Sequence, residues 1–178
     1  MAGLSKEDLN RRFVAALGDS VRHHGPLEER PVEIDLTFPL PQRVRVYIFT
    51  LTNPPGGRPL DEYKVQVTIG KRRGRASFDD SDGRIPLLLG YLEEEDVFVL
   101  WDAELMKSFA YSRNVQVKAN AIVEALSGKL ARHPRRVRPD GKGKSVEMIV
   151  LATQARLLPD AIHERMELTR ARLRQDYR

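Results

Sequence analysis

The chain of 178 residues is 41% hydrophobic, contains no cysteine and carries a formal net charge of +5. This length suits one domain spanning residues 1–178, and the lack of cysteine excludes disulfides, thiolate metal sites and cysteine nucleophiles. The positive charge favours a polyanionic partner. Because no apolar run is long enough for a membrane span or a signal peptide, we expect a cytoplasmic protein that contacts no membrane.

The first half of the chain predicts one helix followed by strands. A capping pattern at Ser5 and Asp8, with apolar residues recurring every four positions, predicts an amphipathic helix over residues 5–23. Alternating apolar and polar side chains predict strands over residues 32–38, 43–52 and 61–69. Residues 53–60 are a turn rich in proline and glycine, and residues 71–84 are predicted to form a long, charged loop.

The central block, residues 87–125, is the part of the chain that we expect to present function. Its two apolar runs, residues 87–92 and 97–101, are joined by four carboxylates, which predicts a hairpin with a solvated tip. Residues 109–118 predict a third strand with one apolar face and one hydrogen-bonding face. Helical spacing over residues 119–126 then predicts a short helix that closes over the sheet.

The last third of the chain starts with a basic connection and ends in a helix. Residues 129–144 are rich in lysine and arginine, residues 145–151 have a strand pattern, and Pro159 suits the first turn of a final helix. Two terminal helices thus surround about six or seven strands that are joined without long helical crossovers. This organisation predicts an α+β fold with a curved, mainly antiparallel and barrel-like sheet.

One constellation is typical of a metal-dependent nuclease. Asp35 lies on one predicted strand, and Glu62 and Lys64 share a face of a later strand. In nucleases of the PD-(D/E)xK class two carboxylates hold Mg²⁺ while a lysine orients the attacking water. An acid and a lysine two positions apart also occur on any solvated strand face, and the usual Pro-Asp is absent. A Mg²⁺-dependent nuclease is therefore the alternative hypothesis, and otherwise we expect no cofactor.

Basic, polar and aromatic side chains together favour a nucleic-acid-binding surface. The side chains expected to neutralise phosphates are Lys71, Arg72, Arg73, Arg75, Arg135, Arg136 and Arg138. Those expected to meet bases or nearby backbone are Arg58, Ser112, Arg113, Asn114, Gln116 and Lys118. The rings that could form a stacking pocket are Tyr91, Trp101 and Tyr111. Trp101 taken alone fits a core residue, whereas Tyr91 and Tyr111 favour exposure.

Three strings of the sequence resemble a known family: NPPGGRP-x-DEYK from residue 53, LLLGYLEEEDVFVLWDAE from residue 87 and FAYSRNVQVKA from residue 109. They are similar to a domain associated with bacterial DNA methylases and restriction endonucleases. The resemblance implies a DNA-recognition domain of a restriction-modification or phage-defence system that senses a specific sequence or a modified base. Because the chain shows no evident nuclease domain and no methyltransferase motif, any such activity would lie in a partner subunit or a fused domain.

We therefore expect a reader module for double-stranded DNA rather than an enzyme. Two alternatives stay open at this stage: the Mg²⁺-dependent nuclease, and an adaptor subunit whose aromatic block binds another protein. The three hypotheses differ in whether the chain binds a duplex, cleaves it or leaves it untouched.

Overall fold

A computed structural model describes residues 3–53, 59–69, 74–106, 109–110, 112–139 and 141–178. Within these residues the α-helices, α1 to α3, are Lys6–Leu17, Ala119–Leu126 and Leu158–Asp176. The described strands, β1 to β9, are Val21–His24, Val32–Leu36, Arg43–Thr50, Glu62–Thr68, Ile85–Leu92, Val97–Trp101, Ser112–Lys118, Ala131–Val137 and Val146–Gln154.

Seven of the strands form one sheet in the order β1-β2-β3-β5-β6-β9-β8, and β4 pairs with β7 in a separate two-stranded ribbon. Only the β3–β5 pair is parallel among these ladders. The prediction of an α+β fold with a mainly antiparallel sheet and terminal helices is confirmed. The sheet is not closed, so it resembles a barrel only in part.

Both faces of the large sheet are buried. Helices α1 and α3 cover one face, where Phe13 and Ile162 join the same apolar cluster as Phe98. The β4–β7 ribbon and α2 cover the other face, where Val65 joins the cluster of Trp101. Because neighbouring residues of a strand point to opposite faces, a strand that is buried on both faces must be apolar throughout. This explains the continuous apolar runs of β5 and β6.

The first predicted helix is too long. Helix α1 ends at Leu17 because Gly18 adopts a φ of 53°, a backbone conformation that residues other than glycine rarely adopt. The following residues of the predicted helix instead form β1, which pairs with β2 at the edge of the sheet. The apolar spacing therefore continues past the real end of the helix only by coincidence.

Strand β8 was missed by the sequence reading, which assigned its residues to a basic connection. It is an edge strand paired with β9, and its register places Pro134 opposite Ile149. Proline is tolerated on an edge strand because no further strand needs its missing N–H group. Because β8 contains arginines and a proline, its sequence lacks the clear alternation of apolar and polar residues by which strands are recognised.

Gly90 marks the closest approach between the sheet and the ribbon. A Cβ atom at this position would lie 2.9 Å from Val65 Cγ2 and 3.0 Å from the Trp101 ring, and both neighbours are buried. We expect Gly90→Ala to lower the free energy of unfolding by about 1–3 kcal/mol, because neither neighbour can move aside in a packed core. Urea denaturation measures the change.

The matched control for that substitution is Gly25→Ala. The nearest atom to a Cβ there is the Glu33 carbonyl oxygen, at 3.7 Å, which is an ordinary contact. We expect this variant to stay within about 0.5 kcal/mol of the parent. Equal stabilities of the two variants would contradict the close packing of the ribbon on the sheet.

Candidate nucleic-acid interface

The β4–β7 ribbon has one apolar face and one polar face. Its apolar side chains, Val65, Val67, Val115 and Val117, are buried against the large sheet. Its polar side chains form four cross-strand pairs: Glu62 with Lys118, Lys64 with Gln116, Gln66 with Asn114, and Thr68 with Ser112. Because side chains alternate along both strands, antiparallel pairing brings all eight polar groups onto the outer face.

A groove runs between β7 and β8. It contains two cavities of about 130 and 260 Å³, both lined by residues of the two strands and by Arg135. Trp101 lies in the wall of the smaller cavity. The polar edge of the ribbon is therefore next to the arginine-rich edge of the large sheet, although the two strands are far apart in the sequence.

Arg135 and Arg113 form hydrogen bonds across this groove and connect its two sides. The Arg135 guanidinium donates to the side-chain oxygen of Gln116 and lies 3.6 Å from the Glu62 carboxylate. Arg113 donates to the main-chain oxygens of Arg138 and Pro139, at 2.6 and 2.5 Å. These contacts fix the end of β8 against β7.

Glu62 is almost enclosed by positive charge. Its side chain is 12% exposed, and the Lys118 ammonium lies 3.2 Å from its carboxylate, beside Arg135. Lys118 also lies 3.6 Å from Asp61. Within this cluster Glu62, Lys118 and Arg135 therefore compensate one another.

Arg136 on β8 and Arg138 just beyond it point into solvent, whereas Arg132 pairs with Glu164 of α3. Arg136 and Arg138 are exposed, and neither side chain forms an ion pair with another described residue. Arg75 is exposed as well, next to the Ala76–Phe109 bridge that precedes β7. The register gives Arg136 the same phase as Arg132, which pairs with Glu164 of α3, whereas Arg135 has the opposite phase and reaches the ribbon. Arg136 and Arg138 therefore lie at the exposed sheet edge beside the groove and not on the polar face of the ribbon.

Five of the predicted interface residues lie outside the described residues: Arg58, Lys71, Arg72, Arg73 and Tyr111. The other predicted polar contacts of β7, which are Ser112, Asn114, Gln116 and Lys118, share the outer face of the ribbon. Arg113 has the opposite phase and reaches β8 instead.

The predicted stacking pocket is wrong for its two described rings. Tyr91 and Trp101 are 0% and 2% exposed and belong to the apolar clusters on opposite faces of the large sheet. The Tyr91 hydroxyl donates to Asp96 at 2.7 Å, and burial together with this carboxylate raises the pKa of the tyrosine to about 12. The expectation that Tyr91 is exposed is therefore incorrect, because β5 is covered on both faces.

Although it is buried, Trp101 supports the candidate interface through a hydrogen bond to β7. Its indole N–H donates to the main-chain oxygen of Gln116 at 2.9 Å, across the floor of the groove. This bond ties β7 to the end of β6. Trp101 thus positions the ribbon and offers no ring face to a ligand.

The residues of the nuclease alternative do not form the expected arrangement. Asp35 lies on β2 of the large sheet, 2.9 Å from the Arg84 guanidinium and 3.8 Å from that of Arg43. Glu62 and Lys64 lie on the ribbon, and β2 and β4 are not neighbours. The described residues also contain no cluster of three acidic or histidine side chains suited to a metal ion.

The contribution of β4 to this surface was not predicted from the sequence. Gln66 and Thr68 were not among the predicted interface residues, and Lys64 was assigned only to the nuclease alternative. The alternation of residues 62–68 has the same form as that of β7, which is the signal that identifies the polar face. What the alternation does not reveal is that β4 and β7 are partners.

Together the fold and the groove define an α+β domain that displays a polar two-stranded ribbon beside a basic sheet edge. The model of the Methylase-associated X1 family matches residues 42–161, a range that includes the whole ribbon and both sides of the groove. The chain belongs to this family. Its resemblance to methylase-associated proteins is thereby confirmed, and this association links it to restriction-modification systems.

No curated protein matches the chain, and no solved structure matches it. Among the described residues, no helix has the length and apolar character needed to cross a membrane.

Proposed function

We propose that this chain is a reader module for double-stranded DNA in a restriction-modification system, acting beside a methyltransferase subunit or fused domain. The observation that carries the proposal is the position of the arginine-rich edge strand β8 next to the hydrogen-bonding face of the ribbon, which Arg135 contacts directly. A DNA reader needs both kinds of group, because cations bind phosphates while amides and hydroxyls distinguish bases.

The arginines supply the attraction to the duplex. DNA carries one negative charge for about every 1.7 Å of its axis, and each phosphate contact releases condensed counterions. Arg136 and Arg138 are exposed, so they can reach phosphates without breaking an ion pair to another described residue. The anchoring contacts of Arg113 and Arg135 keep β8 in a constant position relative to the ribbon.

The acidic loop of residues 79–82 does not compete with this surface. Arg45 on β3 lies 3.1 Å from the Asp79 carboxylate and 3.4 Å from that of Asp82. Three strands of the sheet separate β3 from β8. The basic edge is thus separated from these carboxylates, which supports binding of a polyanion at the groove.

Substitution of Arg136 and Arg138 by glutamine tests the phosphate contacts. We expect the double variant to bind duplex DNA roughly 10- to 100-fold more weakly at 0.1 M salt, with the slope of log K against log salt reduced by about 2. Fluorescence anisotropy with a labelled duplex over a series of salt concentrations measures both quantities. The two side chains are exposed, so the free energy of unfolding should be unchanged.

The charge-matched control replaces Arg11 and Arg174 by glutamine. Both are exposed on α1 and α3, which cover the opposite face of the large sheet. We expect this control to retain the parental affinity and salt slope. Equal weakening of the two double variants would show that only net charge matters and would contradict a DNA site at the groove.

Selective recognition requires a second experiment. The protein is used to select from random duplex libraries, one unmodified and one methylated. We expect a common sequence, or a preference for one modification state, to be enriched in successive rounds. Enrichment of neither, with equal affinity for DNA and heparin at every salt concentration, would refute selective reading.

A further inference from the structure

The centre of the ribbon's polar face holds two side-chain amides next to one another. Gln66 on β4 is directly opposite Asn114 on β7, and both side chains are exposed. The main-chain groups of Lys64 bond to Thr52, away from β7, so the pairs formed by residues 64 and 116 and by residues 66 and 114 are of the non-hydrogen-bonded kind. In such pairs the Cα atoms are about 4.5 Å apart, and the two amides project side by side.

These two amides have no side-chain hydrogen bond to another described residue, unlike Gln116 and Lys118 on the same face. Neither Gln66 nor Asn114 donates or accepts a side-chain hydrogen bond with another described residue, whereas Gln116 is held by Arg135 and Lys118 by Glu62. A ligand can therefore use the donor and the acceptor of each amide without breaking a contact to the described residues.

The shape of the ribbon suits the major groove of DNA. That groove is about 12 Å wide and admits a two-stranded β-ribbon, and the side chains on the outer face then meet the base edges. The arginine-rich strand β8 lies beside the ribbon, and Arg136 and Arg138 are exposed at its free edge, from which long side chains can reach the phosphates that border the groove. The charge and the shape of this face thus favour the same ligand.

The donor and acceptor groups of the two amides determine which base they can bind. A side-chain amide presents one N–H donor and one oxygen acceptor in a plane, which complements the N7 acceptor and the N6 donor of adenine. Guanine presents two acceptors on the same edge, so an amide oxygen would face another oxygen. Resting on the proposed function, we propose that the ribbon enters the major groove and that Gln66 and Asn114 read unmethylated adenine.

Methylation of the adenine amino group would oppose this contact. In a base pair one N6 hydrogen bonds to thymine, so a methyl group on N6 takes the place of the hydrogen that points into the major groove. The amide oxygen then loses its donor and meets a carbon atom. The module therefore distinguishes unmethylated sites from sites that a companion adenine methylase has modified.

The experiment compares three forms of one duplex, which is chosen from the unmodified selection. The first carries adenine, the second N6-methyladenine and the third 7-deazaadenine, which lacks the N7 acceptor. Anisotropy titrations at constant salt should show affinities about 5- to 150-fold lower for the two altered duplexes, the range expected for loss of a bidentate contact. Enrichment of sites without adenine would overturn the inference.

The variants Gln66→Leu and Asn114→Leu remove the amides while keeping most of the side-chain volume. Both positions are exposed, so folding should persist, and circular dichroism verifies it. We expect each variant to bind the adenine duplex more weakly, and the double variant to bind all three duplexes equally. The matched control is Gln175→Leu on α3, also exposed, which should keep the full discrimination.

The outcomes separate this inference from the proposed function. Equal binding of the three duplexes by the parent protein, with the salt slope intact, would overturn adenine reading and leave DNA binding in place. Retention of discrimination by the double leucine variant would overturn the assignment to Gln66 and Asn114. Failure of the parent protein to bind any duplex would instead refute the proposed function.

Discussion

Replacement of Trp101 by alanine is expected to lower the free energy of unfolding by about 3–5 kcal/mol. The indole is 2% exposed and packs between Gly90 and the ribbon, so its removal leaves a cavity that backbone on both sides prevents from closing. Urea denaturation followed by circular dichroism measures the loss, because Trp101 is the single tryptophan and its fluorescence disappears with it.

The same substitution should also loosen the attachment of β7, which forms one side of the candidate interface. Without the indole N–H, the main-chain oxygen of Gln116 loses its donor and β7 loses its tie to β6. The variant Trp101→Phe isolates this effect, since it keeps a buried ring and removes the donor. We expect a smaller loss of stability for it, with about 1 kcal/mol due to the hydrogen bond. A loss below 1 kcal/mol in Trp101→Ala would contradict the packing described for the ribbon.

Replacement of Asp102 by alanine is expected to cost about 3–5 kcal/mol as well, for an electrostatic reason. Asp102 is 3% exposed, and its carboxylate lies 3.2 Å from the Arg172 guanidinium and 3.6 Å from that of Arg165. Arg165 is itself buried, its Nε has no hydrogen-bond partner among the described residues, and desolvation lowers its pKa. Without Asp102 the Arg165 guanidinium stays in the core with no carboxylate within 4 Å among the described residues.

Two further variants test whether the charge is the cause. Asp176→Ala removes the other carboxylate that pairs with Arg172, but this side chain is 62% exposed, so we expect a change of about 0.5 kcal/mol or less. The double variant Asp102→Leu with Arg165→Met removes both buried charges and should be more stable than Asp102→Ala. If it is no more stable than the single variant, the loss comes from packing or from the bond between Asp102 and the Glu104 N–H group.

Local patterns of the sequence were sufficient for most elements of the fold. The hairpin of β5 and β6 was predicted because four carboxylates between two apolar runs have no stable place except a solvated turn. Helix α2 and the polar phase of β7 followed from spacing alone. The end of α1 at Gly18 was missed because the apolar spacing continues into β1, although a glycine after the last turn is a common helix end. The existence of β8 could not be predicted, because the pairing of an arginine-rich edge depends on contacts with β9.

Only part of the polar surface around the groove could be predicted from the sequence. Asn114 and Gln116 share the outer face of β7, as the alternation predicts, whereas Arg136 and Arg138 lie at the neighbouring sheet edge. Tyr91 was misplaced because a tyrosine in an apolar strand has the same pattern whether its face meets water or α1. Its hydroxyl avoids the cost of burial by donating to Asp96, a contact that alternation does not encode.

The sequence by itself determined which residues share a strand face, since the period of two is a property of the extended backbone. It determined the α+β class and carried the resemblance to methylase-associated proteins. Only the tertiary structure decided that β4 pairs with β7, that β8 lies across the groove from them, and that Tyr91 and Trp101 face opposite layers. The physical reason is that strand pairing and burial depend on long-range contacts. An apolar face indicates that it will be buried, but it does not indicate which element will cover it.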